Sequence, residues 1–547
     1  MALVASSALA QAEQPKVKNV IVLISDGCSS EQYTLARWFK GEPLAVDEIR
    51  AGLVKTYIAN SVVADSAPAA SAYATGVRTS DKFISVGPKA PTLSVVAEPA
   101  KDLQCRPVAT MLEGARLLGK ATGVVVTCRL SHATPAAYLS HTPARSQEEE
   151  IAEQEVYQNA DVVLGGGEEY LLPAAAGGKR RDQEDLVAVL REHGYQLART
   201  SAELEAITSG RLFGIFAKGH MAPEIDRPQV ASDEPTLEQM TRKAISLLSQ
   251  DRDGFFLMVE GSQVDWACHA NDPAQMLSDL VMFDRAVGAA LEFAKKDGNT
   301  LVLALSDHNT GGMAIGNLAS NKGYSQMTVE SLLAPLKKMK ASAPRLWKLL
   351  GDQKTPDNVK AVVKEHWGME ITDADAQQLL TAAGKNDESA HNAFGELLCP
   401  KYTYVGWTTH GHCGGDVPLG AFGPGRPTGV VDGPQIGAIT AAGLGLDLDR
   451  LNQRLFVDAA KAFEDGQVTL DKTDPANPVI KVQVAGKTAA LPVNKNLLVM
   501  GDQKIELEGV SLYISATGKM FVPQQAIQLI RGASDPLPAI DKESPEK

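Results

Sequence analysis

Long apolar runs are missing from this 547-residue chain; none approaches the stretch of about 18 residues that would suggest a membrane-spanning helix. Positive charge is in short supply: 53 Lys and Arg face 66 Asp and Glu, a net charge of −13. Such a surface repels phosphate backbones at long range, which argues against a specific nucleic-acid binder. Aromatic residues make up only 5%. The six cysteines (Cys28, Cys105, Cys128, Cys268, Cys399 and Cys413) contain no C-x-x-C pair, so they do not fix the redox compartment. The 44% apolar and 22% charged content is ordinary and excludes wholesale disorder. Residues Ala2 to Ala12 are small and apolar, and Ala10-Gln11-Ala12 fits an A-x-A cleavage site. Residues 1–12 read as the remnant of an export signal lacking its basic start, hence a periplasmic or secreted protein; the competing reading is a frayed Ala-rich terminus.

Short β-branched segments bounded by turn residues (Val20–Ile24, Gly123–Thr127, Asp161–Leu164, Phe255–Val259, Leu301–Leu305) alternate with amphipathic stretches such as Leu237–Leu248 and Pro273–Ala294. This pattern predicts an α/β three-layer sandwich with a central, mostly parallel sheet. Its core runs over 17–312 and is completed by 406–466. Residues 313–405 turn Lys-rich and amphipathic (Val329–Met339, Asn358–Trp367) and read as a mainly helical insertion. Residues 467–535 carry short strands (Val479–Ala485, Asn496–Met500, Ile505–Leu507, Val510–Ile514) and read as a small C-terminal β module, with 536–547 a flexible tail.

In parallel sheets ligands collect beyond the carboxyl ends of the strands. There stand Asp26-Gly27, Glu260-Gly261 and Asp307-His308. Ser66 follows Asp65 and precedes small helix formers, which would place it at a helix N-terminus that favours anions, or leave it an ordinary cap. No G-x-S-x-G elbow surrounds it, so a Ser–His–Asp triad is not the natural reading. Asp265 and His269 are four apart, as two ligands on one helical face must be, or as a surface pair would be. His410 and His412 add loop imidazoles, a donor set suited to Zn²⁺, whereas an all-oxygen set suits Mg²⁺. His132 and Thr134 follow the strand Gly123–Thr127, and Arg145 offers a fork for two phosphate oxygens or a solvated side chain heading the acidic run Glu148–Glu150.

Taken in order, these segments resemble the alkaline phosphatases, metal-dependent phosphomonoesterases. The resemblance rests on Val63-x-Asp-Ser-Ala through Ser71, His132-Ala-Thr-Pro-Ala-Ala, Val259-Glu-Gly-x-x-x-Asp, Asp307-His308 and His412-x-Gly-Gly-Asp-Val417, spread over roughly Val17 to Leu444. It implies hydrolysis of small phosphate monoesters through a phosphoserine at Ser66, with Arg145 clamping the phosphate. It further implies two Zn²⁺ ions, one on Asp265, His269 and His412 and one on Asp26, Ser66, Asp307 and His308. A third site, on Asp26, Thr134 and Glu260 with His132 beside it, would hold Mg²⁺, with Zn²⁺ or Co²⁺ as alternatives. His132 and Trp266 resemble a His/Trp subgroup of bacterial enzymes. His412 is favoured over His410 because Gly414-Gly415-Asp416-Val417 follows in register. The insertion would roof or flank the site or contribute to a homodimer interface. Cys28, Cys268 and Cys413 are read as packing residues or disulfide partners rather than ligands. A sibling phosphodiesterase or sulfatase, or a non-catalytic phosphate binder, is the alternative; Ala70 stands where the sulfatase oxidation motif requires arginine.

Overall fold

The computed structural model describes residues 16–321, 323–384, 386–533 and 536–541; the expected signal remnant at 1–12 lies outside them. Ten strands form the central sheet: β1 (Asn19–Ser25), β2 (Arg50–Lys55), β3 (Ala121–Arg129), β4 (Val162–Gly166), β5 (Gln196–Ala198), β6 (Leu212–Ile215), β7 (Phe255–Gly261), β8 (Thr300–Leu305), β9 (Val417–Phe422) and β10 (Gly429–Asp432). Their spatial order is β10-β2-β9-β8-β1-β7-β3-β4-β6-β5. Every adjacent pair is parallel except those of β9, which runs antiparallel to β2 and β8.

Alternation along β1 shows why three layers form. Ile21 and Leu23 face a layer containing the helices Leu237–Leu248 and Pro273–Asp297, while Val20, Val22 and Ile24 face one containing Ser66–Thr75, Met111–Leu117 and Gly433–Leu444. Each such side chain, fully buried on either face, contributes about 1.5–3 kcal/mol of transfer free energy. The helix Leu237–Leu248 starts where Thr236 and Gln239 cap each other's backbone, and its buried stripe (Leu237, Met240, Ala244, Leu248) has the spacing of one helical face.

Between Ala314–Ile315 and Val405–Gly406, which pair antiparallel, the chain leaves the sheet as a run of helices packed around Trp367 and Phe394. Two core carboxylates hold this run. Asp226 accepts from the backbone N–H and hydroxyl of Ser342, and Asp272 Oδ2 accepts from Ala343 N at 2.7 Å, so both meet the positive end of the helix Ala343–Leu350.

At the C-terminal end a five-stranded antiparallel sheet spans Gln467–Asp471, Val479–Val484, Lys487–Pro492, Leu497–Met500 and Gln503–Glu506. Val510, Leu512 and Ile514 pack into the main core rather than into this sheet. The stretch 536–541, expected to be loose, is anchored: Ile540 is buried, its carbonyl accepts from Asp447 N at 2.8 Å, and Asp541 bridges Leu446.

Candidate active site

The sheet itself gathers the acids. β1 lies between β7 and β8, with Ile24 level with both Glu260 and Leu305. Asp26, Glu260 and Asp307 therefore end three adjacent strands within one small volume, and all three are fully buried. The turn after Asp26 has room only for glycine. Gly27 has φ +69°, its N–H donates to Asp307 Oδ1 at 3.1 Å, and a Cβ there would lie 2.5 Å from Thr310 Oγ1 and 2.6 Å from Asp265 Oδ1. Gly27→Ala is expected to destabilise the fold by the roughly 1–2 kcal/mol of left-handed strain it introduces plus the cost of that overlap, read as a lower melting temperature.

Ser66 is the first residue of the helix Ser66–Thr75, entered from an extended Asp65. Pro68 sits in the first turn, where its missing N–H removes no intrahelical bond. The Ser66 hydroxyl is buried and lies 3.1 Å from His308 Nε2. That nitrogen is also 3.3 Å from Asp26 Oδ1 and 3.3 Å from Asp307 Oδ2. Thr310 donates its hydroxyl proton to Asp265 Oδ1 at 2.6 Å and is 3.2 Å from His308 Nδ1. Since the carboxylate only accepts, Thr310 Oγ1 is left to accept from His308 Nδ1–H, which turns Nε2 towards Ser66.

A second group forms where the short strand His412–Cys413 pairs with Asn309–Thr310. His269 Nε2 lies 3.2 Å from His412 Nε2 and 3.3 Å from Asp265 Oδ2, and His412 Nε2 is 3.7 Å from Asp265 Oδ1. The rings of His308 and His412 stack with centroids 3.8 Å apart. His410 turns away: its Nδ1 meets the His269 carbonyl at 2.7 Å and its Nε2 faces Glu396 of the helical insertion at 3.5 Å. His412 Nδ1 is fixed on the Ala64 carbonyl at 2.8 Å, beside Ser66.

The third side belongs to Arg145. Its Nη1 donates to Asp65 Oδ1 at 2.8 Å, and its Nη2 is 2.9 Å from His132 Nε2. Lys82 Nζ reaches the same Asp65 oxygen at 2.9 Å. His132 caps the helix Ala133–Leu139, which carries Thr134, and its ring leans on Trp266 with centroids 5.2 Å apart. Glu148, at the head of the acidic run, pairs with Arg129 rather than with Arg145. Asp65, Lys82, Thr310 and His220, which packs on Trp266 at 4.2 Å, were not singled out from the sequence. Their contacts span 17 to 80 positions or are set by strand pairing, and no local spacing signals them.

The electrostatics are those of a site short of positive charge. Burial, then the carboxylates of Asp307, Asp265 and Glu260, push Asp26 well above the usual carboxylate range. Burial lifts Glu260 to about 7. Burial would also raise Asp265, but the imidazoles of His269, His308 and His412 outweigh it and hold that carboxyl low. Burial and the Arg145 guanidinium keep His132 neutral. Both oxygens of Asp26, Oε1 of Glu260, Oδ2 of Asp307, Thr134 Oγ1 and His132 Nδ1 are buried without a hydrogen-bond partner. Buried acceptors are ordinarily paired, and carboxylates this close repel unless cations lie among them. The donor set therefore fits divalent metal, and Asp26, Asp307 and His308, like Asp265, His308 and His412, are spaced to share an ion. All six cysteines are free thiols; Cys268 accepts from Gln32, and Cys128 lies 3.3 Å from Glu260.

Above these groups opens a cavity of about 730 Å³ whose wall includes Ser66, His132, Arg145, Trp266, His269 and His412. Its rim, Asn60, Ser61, Asp81 and Lys82, is polar.

Similarity to known proteins agrees with this arrangement. A family model described as alkaline phosphatase matches residues 17–443. Alkaline phosphatase 3 of Bacillus subtilis (strain 168) is 33% identical over 441 residues, covering 77% of this chain and 88% of that protein. Among solved structures, Thermus thermophilus alkaline phosphatase aligns with TM-score 0.70 at 28% identity over 82% of this chain and 96% of its own. A cold-active alkaline phosphatase from Shewanella sp. aligns with TM-score 0.65 at 30% identity over 78% and 99%. The antiparallel sheet beginning at Gln467 lies beyond the matched stretch.

Proposed function

The chain belongs to the alkaline phosphatase family and hydrolyses phosphate monoesters, and from that premise we propose that Ser66 accepts the phosphoryl group while Arg145 grips it. The observation that carries this reading is the placing of Ser66 Oγ, 3.1 Å from His308 Nε2, at the head of a helix and among buried carboxylate oxygens with no partner. Ser66 Oγ attacks phosphorus as the bond to the leaving alcohol breaks; water then attacks the phosphoserine, releasing inorganic phosphate and restoring the hydroxyl. Splitting one displacement into two retains the same pocket for both.

Arg145 uses one N–H on Asp65 and one on the His132 ring, which aims its planar fork into the cavity and leaves the remaining donors for phosphate oxygens. The backbone N–H groups of the first turn after Asp65 add a fixed partial positive charge on the same side.

Asp265, His269 and His412 would hold one zinc, and Asp26, Ser66, Asp307 and His308 a second. Asp26, Thr134 and Glu260 would hold a third cation, magnesium, with zinc or cobalt the alternatives that His132 brings. When bound, these ions neutralise the buried acids, lower the proton affinity of nearby oxygens and offset charge on the transferring phosphoryl group. Thr310 serves both zinc sites, since it bonds Asp265 and orients the His308 ring. Thr310→Val should weaken zinc binding about 10–100-fold, measured by calorimetric titration of the chelated protein, while Thr310→Ser retains it.

The family match supports small phosphate monoesters as the substrates. Among the described residues no helix is long and apolar enough to cross a membrane, and the Ala10-Gln11-Ala12 segment supports export to the periplasm or medium.

Turnover of p-nitrophenyl phosphate, its bis-ester and its sulfate tests the assignment. The monoester is expected to be preferred; comparable turnover of either other ester would sink it.

A further inference from the structure

The segment His141–Arg145 has two sides. Towards the cavity it is pinned by its own domain: Thr142 exchanges backbone hydrogen bonds with Ile84 at 2.9 Å, and Arg145 N donates to Lys82 O at 2.9 Å. Its other side lines a groove of about 490 Å³ between the core and the C-terminal sheet. There a run of side-chain amides crosses from one unit to the other. Gln154 accepts from His141 N at 2.7 Å and donates to His141 O at 3.3 Å. The same Gln154 NH₂ donates to Asn494 Oδ1 at 3.1 Å, and Asn494 Nδ2 donates to Glu153 Oε2 at 3.0 Å. Asn494 lies in the turn between the strands Lys487–Pro492 and Leu497–Met500, at φ +68°, and is 7% exposed.

An amide can be placed either way round unless its neighbours forbid it. Glu153 meets the Lys495 ammonium through Oε1 at 3.2 Å and turns Oε2 to Asn494 as an acceptor, so it fixes which end of Asn494 faces it. Asn494 then presents oxygen to Gln154, which fixes Gln154 in turn, and Gln154 holds both backbone groups of His141. Lys495, the next residue of the same turn, pairs with Glu153 at 3.2 Å and with Glu184 at 2.7 Å, anchoring the start of the relay. We propose that Asn494 is a positioning residue for catalysis: through Gln154 and His141, the C-terminal sheet sets the segment that carries Arg145. This gives the sheet, which lies outside the family match, a part in phosphate binding, and it rests on the reading of Arg145 as the phosphate clamp.

Asn494→Gly keeps the left-handed turn and removes both side-chain bonds; Gln154→Met removes the next link at similar volume. Each is to be compared with Arg145→Ala and with the double variants, measuring competitive inhibition by inorganic phosphate, KM and kcat for p-nitrophenyl phosphate, and melting temperature. Asn494→Gly and Gln154→Met should each weaken phosphate inhibition and raise KM about fivefold, with kcat changed less, as loss of a buried hydrogen bond would. Neither should weaken phosphate further once Arg145 is alanine, because coupled residues share one effect. Unchanged inhibition in both relay variants, or an equal loss with and without Arg145, overturns the relay while leaving the clamp standing. If Arg145→Ala itself leaves phosphate inhibition unchanged, the clamp fails and the relay with it.

Discussion

Ser66→Ala is expected to lower kcat/KM for p-nitrophenyl phosphate by about 10⁴-fold or more, as loss of a covalent nucleophile does in other enzymes. The substitution is mild for the fold. Ser66 is the first residue of its helix, its neighbours Ala67, Ala69 and Ala70 show that a methyl side chain fits this surface, and the cap is Asp65 rather than Ser66. Among the described residues its one side-chain hydrogen bond is the 3.1 Å contact with His308. What alanine removes is the hydroxyl that faces His308 Nε2, so the loss should fall on chemistry and not on stability. The check is twofold: melting temperatures within about 1 °C, a spread of ~1 kcal/mol at this chain length, and acid-trapped labelling by ³²P-phosphate that appears on Ser66 in the parent and is absent in the variant. Label persisting at another residue would remove Ser66 from the proposed role.

Stripping divalent metal should be the other large effect. Four acids, Asp26, Glu260, Asp265 and Asp307, are buried together, and several of their oxygens have no partner. Without cations the site keeps that repulsion and loses the charge that opposes it on the phosphoryl group. Several kcal/mol of transition-state stabilisation corresponds to about 10³-fold or more in rate. The folded state should suffer as well, because a ligand at a thousandfold excess over Kd stabilises by about 4 kcal/mol per site. Chelation followed by desalting is therefore expected to abolish turnover and lower the melting temperature, and added Zn²⁺ with Mg²⁺ to restore both. Full activity in protein shown by elemental analysis to hold less than about 0.1 metal per chain would refute the metal assignment.

Much of the fold could be read from residues alone because its elements are strongly patterned. The helix Leu237–Leu248 matches its expected span, β1, β3, β7 and β8 extend the expected strands by a residue or two, and β4 is shifted, starting one residue later and ending two later than expected. β2 and β9 escaped notice because Arg50–Lys55 and Val417–Phe422 are broken by Gly52, Pro418 and Gly420. They become strands through tertiary pairing with each other rather than through local preference. The site divides in the same way. Asp26, Glu260 and Asp307 were visible as acids at strand ends, since a parallel sheet turns sequence position into proximity. Arg145 is different: local spacing by itself favours a solvated side chain, and its contacts with Asp65, 80 positions earlier, and with His132 turn it inward. The choice between His410 and His412 rested on register with a resembling family; in the fold it rests on direction, since His410 faces Glu396 and His412 faces Asp265.

The pairing of Ala314–Ile315 with Val405–Gly406 carries a consequence for how such a chain can diversify. The helical run departs and returns through one narrow neck, while Asp307, His308 and His412 stay joined beneath it by the pairing of Asn309–Thr310 with His412–Cys413. Lengthening, shortening or replacing the helices beyond the neck need not part Asp307 and His308 from His412. The neck is a graft port: evolution, or an engineer, can exchange what hangs from it while keeping that pairing intact.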